Sequence, residues 1–495
     1  MKTVCGIDLG TQSCKVVVYD YENKKVLAKT QEALELTARN DGSREQETAW
    51  YDAAMDKCFA GIDAELRKTI VAIGVSGQQH GFVPLDAGGK SVYSIKLWND
   101  TSTTAECATL TKAAGGEKAL LEKTGLLMLP GYTAPKILWL KNNKPDAFAK
   151  LRHVLLPHDY LNFLLTGEYV AEYGDASGTA LLDVRTRTWN KEICGLIDAK
   201  LESYLPRLIA ADEIAGRVNA KAAARFGLTE GCIVAAGGGD NMMGAIGTGT
   251  VRDGSLTMSL GTSGTLYGYS DSPVVDGQGK LAAFCSSTGG WLPLLCTMNC
   301  TVASEQIRAL FKLGVKELDQ EASKAPIGAD GIAVLPFFNG ERIPNLPNGR
   351  ASINGATAAN FSIANIARAS LESAIFGMRI GLDAFRVLGF NAKEIRLIGG
   401  GAKSPLWRDI AANVMNLPIR IPSGDEAAAM GGAIQALWCM ERAAGLKTDI
   451  AALVDEHISL ESGATVQPDP VKVAAYNAAY AEYTKYLEAL APLYT

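Results

Sequence analysis

The 495-residue sequence is poor in histidine, with four, and its ten cysteines include no C-x-x-C pair. That excludes the standard spacings of a structural zinc site. The cysteines, at 5, 14, 58, 107, 194, 232, 285, 296, 300 and 439, are scattered and read as buried reduced thiols. An excess of positive charge is also missing. Forty-eight Lys and Arg against 53 Asp and Glu give a formal charge of −5, so no nucleic-acid partner is expected. No long apolar run occurs. The longest uncharged stretch, residues 281–304, holds two glycines, a proline and several Ser, Thr and Asn, unlike a membrane-spanning helix. The apolar run Val4-Cys5-Gly6-Ile7 is cut short by Asp8, too soon for a secretion signal. A cytoplasmic protein with no membrane partner is expected. Pro/Ser-rich linkers and low-complexity blocks are absent as well.

Glycine, in contrast, is plentiful at 51 residues, and it gathers in clusters. The composition is otherwise that of a globular chain, 47% hydrophobic and 20% charged, long enough for two or three domains. Gly6-Ile7-Asp8-Leu9-Gly10-Thr11-Gln12-Ser13 resembles Met258-Ser259-Leu260-Gly261-Thr262-Ser263-Gly264, half a chain later. Both read strand, Leu-Gly-Thr turn, strand, which suggests two homologous halves. Each half continues as mixed strand and helix. Residues 70–76 read as a buried strand ending at Gly77. Asp159 reads as the N-cap of a helix over 160–166 that Gly167 stops. Apolar residues at 363, 366, 367, 371, 375, 378, 382, 385 and 388 predict a long helix within 360–388. Residues 395–398 read as a strand, with Ser404-Pro405 opening a helix to Asn416. The fold class is α/β.

Several clusters carry chemistry, and each has a plainer reading beside it. A Gly-Thr turn offers backbone N–H groups to a phosphate, and Asp8 beside it suits Mg²⁺; the same turn is also an ordinary hairpin. Gly237-Gly238-Gly239-Asp240-Asn241 follows an apolar strand. Asp240 is either a general base at a strand tip or a cap of the next helix. Gly399-Gly400-Gly401-Ala402 is a strand-to-helix turn of the kind that meets a nucleotide, but it is neither a Walker A motif nor G-x-G-x-x-G. Gly77-Gln78-Gln79-His80-Gly81 makes a rim suited to a polyhydroxylated ligand, and Leu97-Trp98-Asn99-Asp100 pairs an aromatic with polar groups. A hydrogen-bonded structural histidine and a capped strand end are the competing readings. His153 and His158 are assigned to structure.

In this order the clusters resemble the FGGY family of carbohydrate kinases, over nearly the whole chain. The runs that carry the resemblance are Gly6-Ile7-Asp8-Leu9-Gly10-Thr11, residues 77–81, residues 97–100, Gly131-Tyr132-Thr133-Ala134-Pro135-Lys136 and Leu156-Pro157-His158-Asp159-Tyr160. They continue with residues 237–241, Ser259-Leu260-Gly261-Thr262-Ser263-Gly264, Gly340-Glu341-Arg342-Ile343-Pro344 and residues 397–402. The resemblance implies two actin-like, ribonuclease-H-like domains with an interdomain catalytic cleft. They are expected at 1–247, on the sugar and Mg/phosphate side, and at 254–495, on the nucleotide side. It implies transfer of the ATP γ-phosphate to a sugar hydroxyl, with ATP and Mg²⁺ as cofactors. D-xylulose, giving D-xylulose 5-phosphate, is the expected acceptor, with ribulose, another ketose or a polyol as alternatives. By the family pattern Asp240 is the base and Asp8 holds Mg²⁺. Gly10, Thr11, Gly261 and Thr262 cradle phosphates, and Gly400 and Gly401 meet the adenosine. Gln79, His80, Trp98, Asp100, Asp240 and Asn241 serve the sugar.

Two positions depart from that pattern: Gln79 stands where Met is common, and His158 where Lys is common. The extra amide either leaves the sugar unchanged or tunes towards a related ketose. A nucleotide switch of the actin or Hsp70 kind, binding a protein partner, is the competing class. Against it, the Gln78-Gln79-His80 rim, Trp98-Asn99-Asp100 and the Gly-framed Asp240 suit a small polar substrate, and the residues after 470 are expected to form only a short amphipathic tail rather than a peptide-binding domain. A homodimer is a further expectation.

Overall fold

The computed structural model describes residues 1–494. In chain order the main elements are β1 (Thr3–Leu9), β2 (Ser13–Asp20), β3 (Lys25–Ala33), β4 (Ile70–Gly77), α1 (Pro157–Thr166), α2 (Tyr173–Ser177), β5 (Ile233–Ala235) and α3 (Asp240–Thr248). They continue with β6 (Ser255–Leu260), β7 (Gly264–Gly268), β8 (Trp291–Thr297), α4 (Ile363–Val387), β9 (Glu394–Ile398), α5 (Pro405–Met415), β10 (Ile419–Arg420) and α6 (Ala427–Ala443).

Packing divides the chain into two units. The first comprises Met1–Arg252, Tyr269–Leu292 and Gly424–Ile458. The second comprises Asp253–Gly268, Pro293–Ser423 and the residues from Ser459 onward. Two segments from the second half of the sequence therefore fold with the first unit, across the sequence boundary expected near residue 250.

The first unit's sheet shows why the later segment belongs there. Strand side chains alternate between faces. Cys5, Ile7 and Leu9 of β1 enter one core with Ile73 and Val75 of β4. Val4 and Ala72 enter the opposite core, with Ile434 and Leu437 of α6. The next residues along that second face are the glycines Gly6 and Gly74, a register pair. A Cβ on Gly6 would lie 1.7 Å from the Ala429 carbonyl oxygen, and one on Gly74 would lie 2.0 Å from that of Gly432. The sheet lacks side chains there, so α6 packs backbone against backbone.

The duplication seen in the Leu-Gly-Thr turns extends to both sheets. β1 is antiparallel to β2, β2 to β3, while β1 is parallel to β4 and β4 to β5. In the second unit β6 is antiparallel to β7 and β7 to β8, with β6 parallel to β9 and β9 to β10. The turns differ in length, since Leu9 pairs with Cys14 but Leu260 pairs with Gly264. The first loop is thus one residue longer.

The long apolar stripe forms α4, begun by Ser362, whose Oγ accepts from Asn365 N at 3.2 Å. Ser404 and Pro405 open α5 as expected, with Ser404 Oγ accepting from Trp407 N, and Asn416 ends it at φ 51°. Two expectations need correction. Asp159 is not the N-cap of α1, because Pro157 supplies its first turn. It sits at the third helical position and accepts from Leu156 N at 2.9 Å. The segment after 470 is not a short tail but the 21-residue helix Pro470–Leu490, whose Tyr476 and Tyr483 are buried. Tyr476 receives an Arg368 N–H at 2.6 Å. Among the described residues no helix is long and apolar enough to cross a membrane. None of the ten cysteines is in a disulfide, and nine are buried.

Candidate active site

Three strand ends lie side by side in the first unit. β4 pairs in parallel with β1 on one side, matching Asp8 with Ser76 and Leu9 with Gly77. On its other side the pair Gly238–Gly239 matches Ser76 and Gly77. The chain leaves these ends as Gly10-Thr11, Gln78-Gln79-His80 and Asp240-Asn241. Runs far apart in sequence thus meet at the carboxyl edge of one parallel sheet, where α/β folds bind ligands.

Asp8 is partly buried, on the same face of β1 as Val4 and Gly6. Its register partner Ser76 donates to Oδ1 at 2.8 Å. Burial raises the Asp8 carboxyl above its usual range; the Ser76 hydrogen bond and the Lys15 charge oppose this, and Glu426 adds to it. Lys15 Nζ is itself 2.7 Å from Glu426.

Asp240 begins α3, after Gly239 as N-cap. Its Oδ1 accepts from Asn241 N at 2.7 Å and Asn241 Nδ2 at 3.0 Å. Burial is the main cause pushing its carboxyl up to about 7; the charges of Asp8 and Asp175 add to it, and the Asn241 hydrogen bonds resist. Asp240 is therefore not the cap of α3, a place Gly239 takes; it is the first helical residue, at a strand tip, with its carboxyl raised.

The polar rim divides by its hydrogen bonds. Gln78 is fully buried and engaged: Nε2 donates to Gln46 Oε1 at 2.8 Å and Tyr51 Oη at 3.0 Å, while Oε1 accepts from Thr11 Oγ1 at 3.1 Å. Gln79 is 4% exposed; its Oε1 accepts from Asn241 Nδ2 at 2.8 Å, and its Nε2 has no partner among the described residues. His80 adopts φ 64°. Buried Lys136 donates to the His80 carbonyl at 2.7 Å and to that of Gly131 at 2.7 Å, and Thr133 Oγ1 donates to the His80 carbonyl at 3.1 Å. The His80 ring lies 4.9 Å from Tyr132 and 5.4 Å from Phe284, centroid to centroid.

Trp98 and Asp100 are bound inward. Trp98 Nε1 donates to Thr11 Oγ1 at 2.9 Å. Asp100 is fully buried, with Oδ2 accepting from Lys96 Nζ and Arg44 N, both at 2.9 Å, and Oδ1 accepting from Ser102 N and Oγ. Between them Asn99 keeps a buried Oδ1 without a partner among the described residues. The sequence reading passed over Asn99, although it sits in the quoted run.

Beneath this edge lies a buried acidic group that sequence reasoning also missed. His158 Nδ1 is 2.6 Å from Asp175 Oδ2, and its Nε2 is 3.0 Å from Asp159 Oδ1. Glu172 accepts from Ser287 Oγ at 2.7 Å. Burial pushes Asp159 and Glu172 up to about 7 and Asp175 well above the carboxylate range. The one available signal was Asp175 standing between Gly174 and Gly178. His153, as expected, is structural, stacked 3.7 Å from the Tyr169 ring.

In the second unit the Leu-Gly-Thr turn is held by Cys300 N donating to the Thr262 carbonyl and Thr301 N to that of Gly261, both at 3.0 Å. The glycines after β9 have separate tasks. Gly399 has φ 91° and packs on Leu260, and Gly401 packs on Trp407, whereas a Cβ on Gly400 would meet open space. Gly400 is the one whose face a ligand can approach.

The doubled sheets and the order of these runs match known proteins. Models of the N-terminal and C-terminal domains of the FGGY family of carbohydrate kinases match residues 3–247 and 256–440. A xylulose kinase of Haemophilus influenzae is 44% identical over 98% of this chain and 99% of its own length. One from Escherichia coli K12 is 30% identical over 99% of each chain. The crystal structure of xylulose kinase from Bifidobacterium adolescentis superposes with a TM-score of 0.84 at 30% identity, covering 98% of this chain and 99% of that one. The fold is shared more widely, with a TM-score of 0.86 to a Plasmodium falciparum glycerol kinase at 20% identity. With both domain models accounted for, the chain belongs to the FGGY family of carbohydrate kinases.

Proposed function

We propose that this kinase transfers the γ-phosphoryl group of ATP to a hydroxyl of D-xylulose, giving D-xylulose 5-phosphate, with Asp240 as general base. The observation that carries this reading is Asp240 itself, partly buried at the strand tip beside Gln79 and Asn241, with its carboxyl raised to about 7. A pKa near the working pH leaves a useful fraction ionised and makes that fraction more basic than an ordinary carboxylate. The sugar oxygen bonds to the γ-phosphorus as the bond to the bridging oxygen of ADP breaks. The hydroxyl proton passes to the Asp240 carboxylate, whose Oδ1 is steadied by Asn241. Such transfers need positioning and charge neutralisation more than covalent chemistry.

The sugar hydroxyls are assigned to Gln79, His80, Asn241 and Asn99. The unpartnered Gln79 Nε2 and Asn99 Oδ1 supply a donor and an acceptor. Trp98 and Asp100, engaged inward, hold that run in place. Backbone at Gly10, Thr11, Gly261 and Thr262 is assigned to the phosphates. The single proton of the Thr11 hydroxyl is directed to Gln78, so at Thr11 the amide is the donor. Gly400, with Gly401 fixing the turn, is assigned to the adenosine. Asp8 fits Mg²⁺. No group of three or more His, Cys, Asp or Glu able to hold a metal occurs among the described residues, and Mg²⁺ bound to a nucleotide typically needs only one or two carboxylates besides phosphate and water oxygens. When bound, it neutralises phosphate charge. Ten cysteines outside any disulfide support a reducing, cytoplasmic compartment.

The test is a coupled assay for ADP release with D-xylulose, D-ribulose, a ketohexose and a polyol, on wild type and Asp240→Asn. D-Xylulose is expected to give the highest kcat/KM. Asp240→Asn is expected to lower kcat by ~10²–10⁴ with a smaller change in sugar affinity. A variant of near wild-type kcat removes Asp240 from this role.

A further inference from the structure

Asn241 bridges two side chains at once. Asn241 Nδ2 donates both to Asp240 Oδ1 at 3.0 Å and to Gln79 Oε1 at 2.8 Å. An ionised carboxylate only accepts, so the Asn241 amide must turn its nitrogen towards Asp240. That nitrogen then requires an acceptor from Gln79, which fixes the Gln79 amide with Oε1 on Asn241. Its Nε2 is left buried, on a side chain 4% exposed, without a partner among the described residues. Buried donors in folded proteins are rarely left unpaired, so this N–H calls for an acceptor, which a bound sugar hydroxyl can supply. Gly239 packs on the stem of Gln79, where a Cβ would lie 2.6 Å from Cγ.

Resting on the kinase reading above, we infer that Gln79 is a positioning residue for the general base as well as a sugar contact. Its carbonyl holds the Asn241 amide on Asp240, and its N–H takes a hydroxyl of the sugar. Binding of the correct sugar then orders the same side chain that orients the base. A sugar lacking the hydroxyl at that place is expected to lose turnover as well as affinity. A methionine at this position fills similar space but cannot accept from Asn241 or donate to a sugar, so this coupling depends on the glutamine.

The experiment is a double-mutant cycle with Gln79→Met, Asn241→Ala and the pair, alongside Asp240→Asn, reading kcat and the sugar KM separately with D-xylulose. Gln79→Met is expected to raise the sugar KM and to lower kcat by roughly 5- to 20-fold, the size of one lost hydrogen bond between neutral amides at the upper end of its range. Asn241→Ala is expected to lower kcat by a similar factor. The double variant is expected to fall within about 2-fold of the worse single, because both act through one bridge. Thermal melts check folding, and Gln79→Leu replaces Gln79→Met in the cycle if the methionine variant is poorly folded. A change in KM alone, or kcat losses that multiply in the double variant, would overturn the positioning role while leaving the kinase reading intact. Near wild-type kcat in Asp240→Asn would instead remove Asp240 as the base and leave Gln79 nothing to position, whereas no ADP release with D-xylulose in the wild type would overturn the kinase reading.

Discussion

A left-handed backbone at a side chain with a Cβ is uncommon and costs energy unless its surroundings fix it. His80 is such a residue, at φ 64°, and a buried lysine is committed to keeping it there. Burial pushes the Lys136 ammonium well down from its usual range; Asp100 opposes this and Lys96 adds to it. That investment is understandable if the His80 ring must point at the sugar. Leaving a buried sugar hydroxyl unpaired costs ~1–3 kcal/mol. His80→Ala is therefore expected to raise the sugar KM by roughly 5- to 150-fold, with little change in the KM for ATP. Steady-state kinetics against each substrate checks this, and an unchanged sugar KM would assign His80 to structure. At this scale the sequence was readable where a strand end needs glycine for close backbone approach. Asp8, Gln79, His80 and Asp240 all lie in such short runs. It was silent on which polar groups the fold uses internally. Nothing in Trp98-Asn99-Asp100 shows that the outer two are engaged while Asn99 Oδ1 is left over.

Between elements, the consequential contact is the one joining α1 to α2 through His158 and Asp175. The two residues lie on separate helices with no periodic relation, so sequence spacing could not reveal it. Glu172, just before α2, shares the same buried surroundings. Burial pushes it up to about 7; Ser287, Gly174 and His158 oppose this, and Asp175 adds to it. A carboxyl raised in this way binds its proton more tightly in the folded chain than in the unfolded one. The stability it provides is complete below the unfolded value, ~4, and is lost as pH rises through about 7. Glu172→Gln keeps the shape and removes the ionisation. Relative to wild type, its Tm is expected to be higher at pH 8 than at pH 5, by on the order of 2–4 °C for each kcal/mol involved. Melts of both proteins at the two pH values test the sign. A difference that stays constant or grows towards acid would show that Glu172 does not carry its proton in the fold.

On the scale of the whole chain, the repeat in the sequence revealed two matching sheets but not the path that completes the first. The Leu-Gly-Thr turns are visible because tight turns restrict residue choice. The return of residues 424–458 is not, because Gly431-Gly432-Ala433 looks like any small-residue helix until Gly6 and Gly74 are seen against it. Val4, Tyr19, Ala72, Ala235, Met243 and Ile246 share one core with Ile434, Leu437, Ile450, Leu453 and Val454 of that segment. Each large aliphatic side chain buried there contributes ~1.5–3 kcal/mol. A typical domain is stable by only ~5–15 kcal/mol, so losing four or five of them, ~6–15 kcal/mol, is as large as the whole margin. A fragment of residues 1–252, which contains every candidate sugar residue and the proposed base Asp240, is therefore expected not to fold alone. Circular dichroism melts should show no cooperative transition, and the fragment should bind an apolar dye or aggregate. Joining residues 269–292 and 424–458 to it through flexible linkers should restore a cooperative melt, because those segments supply the missing face of the sheet. A soluble 1–252 fragment with a sharp transition of its own would mean that the second face of the sheet does not need α6, and that the close approach at Gly6 and Gly74 stabilises something other than the fold of this unit.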